Sequence, residues 1–477
     1  MRQLAAASVL ITLAACAVGP EYTPPAPPAA AVAPLVGAGT TSISTVAAAD
    51  YWWRLFDDTR LDALVREAFA ANDDLKIAEA NLGGARAVFE AARSGLYPRT
   101  GVALGATYGR DPATDEILEI EHAKPQSIWI FDDLLDVSYE LDLFGHVRHS
   151  VEQAKAATQV AIAQRDAVRV TVAAETARAY AQLCALGEEL AVARHSLDLV
   201  THEAEITAKR RAAGAGTDFD VVRSEAIVAQ ARAAIPPLEG QRRASLFELA
   251  ALLGRSPANR PTGVDQCDAP PLLTAPLPVG DGTALLKRRP DIRAAERRLA
   301  AAVAGVGVAT AELYPRISLT GFYGGVDGSI SQLGTNNGLA WGVGPSISWP
   351  FPIQSGPRAK VHHAQAAANA ALAAFDGIVL QAVKETAEAI SAYTAELDHH
   401  RELVAVQMKS RSAFDLARDQ LSAGAISELD FLTSERAVVS ADAAVAASDA
   451  AVVQDQIAVF KALGGGWQKA SPRNEGG

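Results

Sequence analysis

The chain has 477 residues, a formal net charge of −12, and a composition that is 49% hydrophobic but only 6% aromatic. This acidic balance excludes a nucleic-acid-binding protein, because phosphate contacts need a basic surface. Alanine supplies much of the apolar content, which favours long, closely packed helices. Three widely spaced cysteines exclude a disulfide scaffold and a Cys-based zinc site. No apolar run reaches the roughly 20 residues of a membrane helix, so a helical membrane protein is not expected.

The N-terminus is predicted to be a signal peptide over residues 1–15, because a short positive start precedes an apolar stretch too short to cross a membrane. The sequence LAAC, which ends at Cys16, resembles a lipobox, so Cys16 is expected to become the first mature residue and to carry acyl chains. An ordinary signal peptide with an incidental cysteine is the alternative. Ala17 is not the aspartate that retains lipoproteins in the inner membrane, which implies outer-membrane sorting. Residues 16–50 are rich in proline and alanine and predict a lipidated tether.

The rest of the chain contains an internal duplication. Tyr97-Pro98-Arg99 recurs 217 positions later as Tyr314-Pro315-Arg316, and Ala213-Gly214-Ala215 recurs 210 positions later as Ala423-Gly424-Ala425. Ordered matches through both halves argue against chance similarity of alanine-rich helices. We therefore predict a first structural repeat over 51–283, which includes a linker at 255–283, then a second repeat over 284–466 and a C-terminal tail over 467–477.

Each repeat is predicted to contain a very long helix. The segments 148–213 and 358–423 contain no proline and one glycine each, which is typical of coiled-coil-like helices roughly 100 Å long. Shorter helices are predicted over 61–94 and 218–253, and Pro236 and Pro237 should kink or break the second of these. Tight turns at about 214–218 and 424–428 would form the tips of two helical hairpins.

Between the helices, each repeat is predicted to contain a strand hairpin, at about 100–145 and 316–350. Apolar residues alternate with polar or small ones in both, although Phe322 interrupts the pattern. Asp136, Glu140 and Asp142 fall on the polar side and are candidates for a barrel lumen that favours cations. Four strands cannot close a barrel in lipid, so three copies of the chain would supply twelve. A half-buried soluble sheet is the alternative.

Several segments resemble the TolC-type outer-membrane factors, in particular the lipoprotein branch related to OprM and NodT. The matching stretches are Gly19-Pro20-Glu21-Tyr22 after Cys16, Trp52-Trp53-Arg54-Leu55-Phe56, residues 139–145, Pro236-Pro237-Leu238-Glu239, and residues 288–296. The resemblance implies a mixed α+β membrane protein. Its homotrimer would share a 12-stranded β-barrel, with four strands per protomer, on a long periplasmic α-helical barrel.

The same resemblance implies a function without bond chemistry. Such proteins are passive outer-membrane exit channels that dock onto a periplasmic adaptor and an inner-membrane RND-type transporter. No cofactor is expected apart from the lipid on Cys16, and no nucleic acid. The alternatives are a structural or adhesive lipoprotein of helical hairpins, a type I secretion duct, and a surface-anchored hydrolase, for which no catalytic set is found. The sequence does not identify the cargo.

The hairpin turns carry the candidate functional residues. The candidates for adaptor docking are Arg210, Arg211, Gly214, Gly424, Ser427 and Glu428, and those for a periplasmic gate are Asp218, Asp220, Leu429, Asp430 and Thr433. Helix N-capping is the competing interpretation of Thr217, Asp218, Ser427 and Glu428. Leu429 matches the apolar constriction position of the family, but Thr433 stands where the family pattern has an aspartate. A metal site is not expected, because the histidine pairs 362–363 and 399–400 lack a ligand motif. Whether Cys184 pairs with Cys267 is open.

Overall fold

The computed structural model describes residues 17–26, 33, 35, 41–47, 49–110, 120, 124, 127–273, 275–332, 335 and 339–467. The predicted signal peptide, Cys16 and much of the predicted tether lie outside the described residues. The chain forms two compact units, and each takes segments from both sequence repeats. The first unit comprises Met1–Pro25, Asn81–Ala161 and Ala294–Phe375, and the second comprises Ala26–Ala80, Ile162–Arg293 and Asp376–Gly477.

The described chain is mainly helical. The α-helices are α1 (Thr59–Ala71), α2 (Asp73–Ser94), α3 (His146–Ala212), α4 (Asp218–Leu252), α5 (Gly282–Arg288), α6 (Pro290–Ala311), α7 (Ser355–Ser422) and α8 (Glu428–Ala462). The two very long helices predicted from the sequence are present, with 67 residues in α3 and 68 in α7. By length and composition alone, α7 and α8 could cross a membrane, contrary to expectation. Buried core helices pass the same test, so it carries little weight.

Two details of the predicted helices are corrected. The helix expected over 61–94 is two helices, because Asn72 is extended and its side-chain oxygen accepts a hydrogen bond from the backbone N–H of Leu75 at 3.1 Å. The helix α4 continues through Pro236 and Pro237, so the break considered for this segment does not occur.

The strands form two sheets. A two-residue parallel pair joins β1 (Ile43–Ser44) to β4 (Leu277–Pro278) in the second unit. The first unit contains a four-stranded antiparallel sheet in the order β2 (Arg99–Gly109), β3 (Ile128–Leu141), β5 (Arg316–Asp327) and β6 (Leu339–Ser348). Both predicted strand hairpins are therefore present, and β3 pairs with β5 to join them. The outer edges of β2 and β6 pair with no other strand in the described chain.

Aromatic residues from the segment 52–56 fill the core of the second unit. Trp52 stacks on Phe460 with ring centroids 4.9 Å apart, and both side chains are fully buried. The indole nitrogen of Trp53 donates a hydrogen bond to Asp62 at 2.9 Å. The Trp-Trp pair that contributed to the family resemblance is thus a packing element.

The motif at residues 288–296 is also largely structural. Arg289 donates a hydrogen bond to the carbonyl oxygen of Ala462 at 2.9 Å, so it caps the last turn of α8. Its guanidinium also pairs with Asp291 at 2.6 Å and with Glu385 at 2.8 Å. The motif therefore holds the start of α6 to the end of α8.

A disulfide between Cys184 and Cys267 answers the question that the sequence left open. It joins the middle of α3 to the linker and closes a loop across 83 positions. Gly187, the one glycine of α3, lies beneath this linker. A Cβ atom at Gly187 would lie 2.3 Å from the carbonyl oxygen of Cys267. The glycine therefore allows the linker to approach the helix closely enough for the bond.

Candidate functional site: the sheet faces and the hairpin turns

One face of the four-stranded sheet is apolar and exposed. The register places Val102 beside Leu135, Leu135 beside Tyr323, and Tyr323 beside Trp341. Leu104 on the same face is 77% exposed. The other exposed apolar residues of this face are Tyr108, Trp129, Val137, Leu141, Leu319, Leu339, Val343 and Ile347. Such a surface is costly in water and is suited to lipid.

The opposite face carries a row of carboxylates on β3. Asp132, Asp136 and Glu140 follow one another at every fourth residue, so their side chains share this face. Serine, threonine and glycine surround much of the row, although Ile128, Ile130 and Leu134 lie on the same face. Gly105 lies opposite Asp132 and leaves room for its carboxylate. Glu140 pairs with His146 at 3.2 Å and lies 3.7 Å from the guanidinium of Arg316.

Two predictions for this sheet change in detail. Asp142 does not belong to the row, because β3 ends at Leu141 and the Asp142 carboxylate accepts hydrogen bonds from the N–H groups of Val147 and Arg148 at 2.9 and 2.8 Å. Asp142 therefore caps the start of α3. Aspartate is common before helices because its carboxylate accepts hydrogen bonds from the first free N–H groups. Asp132, which the sequence analysis missed, completes the row.

Phe322 points to the polar face, as its break in the alternation predicted. It lies against Gly342, where a Cβ atom would be 2.8 Å from the phenyl ring. Because Gly342 has no side chain, it leaves space for the phenyl ring. An aromatic side chain that covers a glycine on the next strand stabilises a sheet.

The turn between α3 and α4 is short, so the residues that end α3 are followed directly by those that cap the start of α4. Gly214 has a φ of +74°, which ends α3, and Thr217 caps α4 in a capping box with Asp220. The hydrogen bonds from Thr217 lower the pKa of Asp220. Arg211 holds Asp218 with hydrogen bonds of 2.7 and 3.2 Å and lowers the pKa of that carboxyl.

The turn between α7 and α8 repeats this geometry. Gly424 has a φ of +68°, and Ser427 caps α8 in a capping box with Asp430. The Asp430 carboxylate accepts a hydrogen bond from the Ser427 hydroxyl at 2.6 Å. The capping interpretation of Thr217 and Ser427 is thus confirmed, while the gate roles of Asp220 and Asp430 stay predictions.

The remaining gate candidates are exposed. Leu429 is 47% exposed, and Thr433 donates its hydroxyl proton to the carbonyl oxygen of Leu429 at 2.7 Å. Glu428 is bound instead: it accepts hydrogen bonds from the Thr207 hydroxyl and from Arg210, the latter at 3.0 Å. Arg210 and Glu428, both predicted at docking tips, therefore join the two hairpins to each other.

The start of the predicted tether is held in place within the first unit. The carbonyl oxygen of Val18 lies 3.0 Å from the His149 ring, and Tyr22 donates its hydroxyl proton to Glu296. Burial and the contact with Glu296 raise the pKa of Tyr22. The two motifs at residues 19–22 and 288–296 thus contact each other, which neither sequence pattern indicated.

No metal site appears among the described residues. His400 lies 3.7 Å from Asp449, and His399 lies 3.4 Å from Glu396. No group of three or more His, Cys, Asp or Glu side chains in this part of the chain has a geometry that could hold a metal ion.

The model of the family described as outer membrane efflux protein matches residues 64–255 and 283–465, one segment in each half of the chain. The chain belongs to the outer membrane efflux protein family. The resemblance seen in the sequence is therefore confirmed, as is an outer-membrane location.

Relatives and solved structures agree with this family. The outer membrane protein OprJ of Pseudomonas aeruginosa is 30% identical over 97% of this chain and 95% of its own length. The outer-membrane channel OprN is similar in structure, with a TM-score of 0.87 and 35% identity over 95% of this chain and all of that one. The MtrE channel of Neisseria gonorrhoeae, in its open state, has a TM-score of 0.82 at 27% identity, with 95% and 99% coverage. The efflux-channel fold expected from the sequence is thus confirmed.

Proposed function

We propose that the chain is the outer-membrane exit channel of a tripartite efflux system, and that it works as a homotrimer which passively conducts substrates outward. The observation that carries the proposal is the four-stranded sheet, with one apolar exposed face and one acidic row on the other. In a membrane, the apolar face would contact lipid and the acidic row would line the pore.

The free edges of the sheet support a trimer. Four strands leave unpaired N–H and C=O groups along β2 and β6, and each unpaired group in hydrocarbon costs several kcal/mol. Pairing of β2 in one copy with β6 in the next would remove both edges. Three copies would close a barrel of twelve strands, an even number within the known range.

The proposed partners are a periplasmic adaptor and an inner-membrane RND-type transporter. Exposed side chains at the two hairpin turns support a docking surface there: Phe219 is 71% exposed, and Leu429 is also exposed. The chemistry of transport would reside in the transporter, so the chain would act as a duct and not as an enzyme. Proteins of its family are outer-membrane channels.

Planar bilayers test both the channel and its gate. We expect the purified full chain to form discrete conducting pores, and Asp430→Ala to raise their conductance, because this change shortens three side chains that a trimer would bring together near the proposed constriction. Single-channel conductance in potassium chloride is the measurement. Ser427→Ala is the matched control, since it breaks the same capping box and keeps the Asp430 carboxylate.

The outcomes separate the alternatives. Absence of any conductance would favour a structural or adhesive lipoprotein. An equal effect of both substitutions would show that loss of the capping box, and not of a gate, explains the change. A type I secretion duct would conduct as well, and it would be distinguished by co-purification with a different class of inner-membrane transporter.

Lipid attachment at Cys16 is a further part of the proposal. Cys16 ends the sequence LAAC, and the residues that follow it pack against α3 and α6, which would hold an acylated terminus close to the sheet. We expect cells fed labelled palmitate to label the wild-type protein and not Cys16→Ser. Ala17→Ser is the control for processing. Full labelling of Cys16→Ser would contradict the assignment.

A further inference from the structure

The helices α3 and α8 run side by side in the second unit, and a series of side-chain contacts follows their shared seam. At one end, Arg210 pairs with Glu428 at 3.0 Å. At the other end, Lys461 pairs with Glu175 at 2.8 Å, and Gln454 lies 3.4 Å from Gln182. The residue numbers of the partners rise on one helix as they fall on the other, so the seam is antiparallel. Opposite charges hold both of its ends.

Between these ends, the seam brings carboxyl groups together. Glu435 of α8 interacts electrostatically with Glu203 of α3, and Glu188 of α3 does so with Asp449 of α8. Glu435 has the least favourable environment of these carboxyl groups for a negative charge. It is fully buried, and neither of its carboxylate oxygens has a hydrogen-bond partner in the described chain. A buried unpaired carboxylate is strongly unfavourable, so this arrangement suits a protonated side chain.

The duplicated sequence provides an internal comparison. Glu435 follows the second capping box in the sequence Asp-x-x-x-Ser-Glu, and Glu225 follows the first in the same pattern. Glu225 is exposed, whereas Glu435 is buried against α3. The local sequence therefore does not explain the burial of Glu435, which arises from the packing of α8 on α3.

His202 and Arg210 of α3 act electrostatically on Glu203 and favour its ionised form, whereas Glu428 opposes it. None of the cations in this part of the described chain acts on Glu435. On α3, Arg210 is bound to Glu428 and His202 is exposed. On α7, Lys409 is exposed and Arg411 is bound to Asp442 at 3.1 Å. On α8, Arg436 is exposed although it adjoins Glu435. Glu203 is the charged group that acts on Glu435.

We propose that Glu435 and Glu203 form a proton-controlled latch, which holds α8 against α3 near the hairpin turns when Glu435 is protonated and loosens this contact when Glu435 ionises. Ionisation of Glu435 would place a second negative charge beside Glu203, with no cation acting on Glu435 itself, so the helices would separate or admit water. The latch lies between the capped turns and the rest of the hairpins. It would therefore make the opening of the periplasmic end depend on pH.

The direction of the effect follows from the chemistry of a buried carboxyl. Burial, with repulsion from Glu203, raises the pKa of Glu435 to about 7. The contact is therefore tight in acid and weakens as the pH rises through neutrality. Exposed carboxyls, by contrast, stay ionised throughout that range. Histidine side chains also change charge between about pH 5.5 and about pH 8, so the variants described below, and not the pH dependence by itself, assign a change in channel behaviour to the buried pair.

This inference rests on the proposed channel function, so its test uses two readouts. The first is single-channel conductance of the full chain in potassium chloride from about pH 5.5 to about pH 8. The second needs no conduction: a nitroxide label at Ala212→Cys, an exposed position at the end of α3, whose mobility is measured over the same range. The variants are Glu435→Gln, which cannot ionise, Glu203→Gln, and the exposed counterpart Glu225→Gln as the control.

We expect wild-type conductance and label mobility to rise with pH, conductance by about twofold with a midpoint near neutrality. Glu225→Gln should behave like the wild type, and Glu435→Gln should keep the low-pH values throughout. Glu203→Gln should move the midpoint to lower pH, because it removes the repulsion that raises the pKa of Glu435. This shift is a readout that a merely structural role of the pair would not produce.

Two results would overturn the latch: no pH dependence in the wild type by either readout, or an unchanged pH dependence in Glu435→Gln. If no variant conducts but label mobility responds as described, the channel function fails and the latch stands. If Glu435→Gln does not assemble, the midpoint shift in Glu203→Gln decides the matter alone.

Discussion

Removal of the Cys184–Cys267 disulfide is expected to lower the free energy of unfolding by about 4.5 kcal/mol, the value that loop-closure entropy gives for a loop of this length. The bond closes 83 positions and holds the linker against the middle of α3. The double variant Cys184→Ala/Cys267→Ala avoids a free thiol and a buried hydroxyl. Guanidinium chloride unfolding followed by circular dichroism gives the measurement.

A matched comparison separates the covalent bond from packing. Wild-type protein unfolded in the presence of a reductant should lose most of the same stability, since it keeps both side chains but not the bond. An alanine pair that unfolds at the wild-type midpoint would show that the fold holds the linker without the disulfide. Gly187 would then be the main determinant of the close approach, because its missing side chain leaves space for Cys267.

Neutralising Asp132 and Asp136 is expected to reduce cation selectivity strongly. In a trimer, each would form a ring of three carboxylates on the polar face of the barrel. Three unit charges about 10 Å from an ion on the axis contribute about 1 kcal/mol in water. Because two rings are removed, we expect Asp132→Asn/Asp136→Asn to lower the permeability ratio of potassium to chloride by at least about tenfold at low salt, and less as salt screens the rings. Reversal potentials across a salt gradient provide the measurement.

Asp133 offers the control for this experiment. It adjoins Asp132 but points to the apolar face, where it accepts a hydrogen bond from the N–H of Gly325 at 2.6 Å. Asp133→Asn keeps that acceptor and should leave selectivity unchanged. An anion-selective wild type, or equal effects of Asp133→Asn and the double variant, would contradict the assignment of the polar face to the pore.

Much of this protein could be predicted from local sequence. The capping boxes at Thr217 and Ser427, the turns at Gly214 and Gly424, and the position of Phe322 all follow from the residues within one or two turns. Such features depend on backbone conformation, on the nearest hydrogen bonds, and on a two-residue side-chain period. A single chain contains all of that information in its order of residues.

Other residues have positions or partners that the alternation pattern did not indicate. Asp142 alternates correctly with its neighbours, but the start of α3 takes its carboxylate as a cap. Asp132 was missed, although its spacing of four residues from Asp136 places both side chains on the same face of a strand. The sequence pattern assigned no partner to Tyr22, whose hydroxyl donates a hydrogen bond to Glu296 on α6.

The sequence by itself determined the duplicated plan of hairpins and long helices, because helix caps, turn glycines and apolar periodicity are local properties. Only the tertiary structure decided which of two equivalent glutamates is buried, that Cys184 meets Cys267, and that Arg210 and Glu428 join the hairpins. Each of these depends on how one helix or linker packs against another far away in the chain. Glu225 and Glu435 share a sequence pattern, but Glu435 is buried against α3, and this burial, with repulsion from Glu203, raises its pKa.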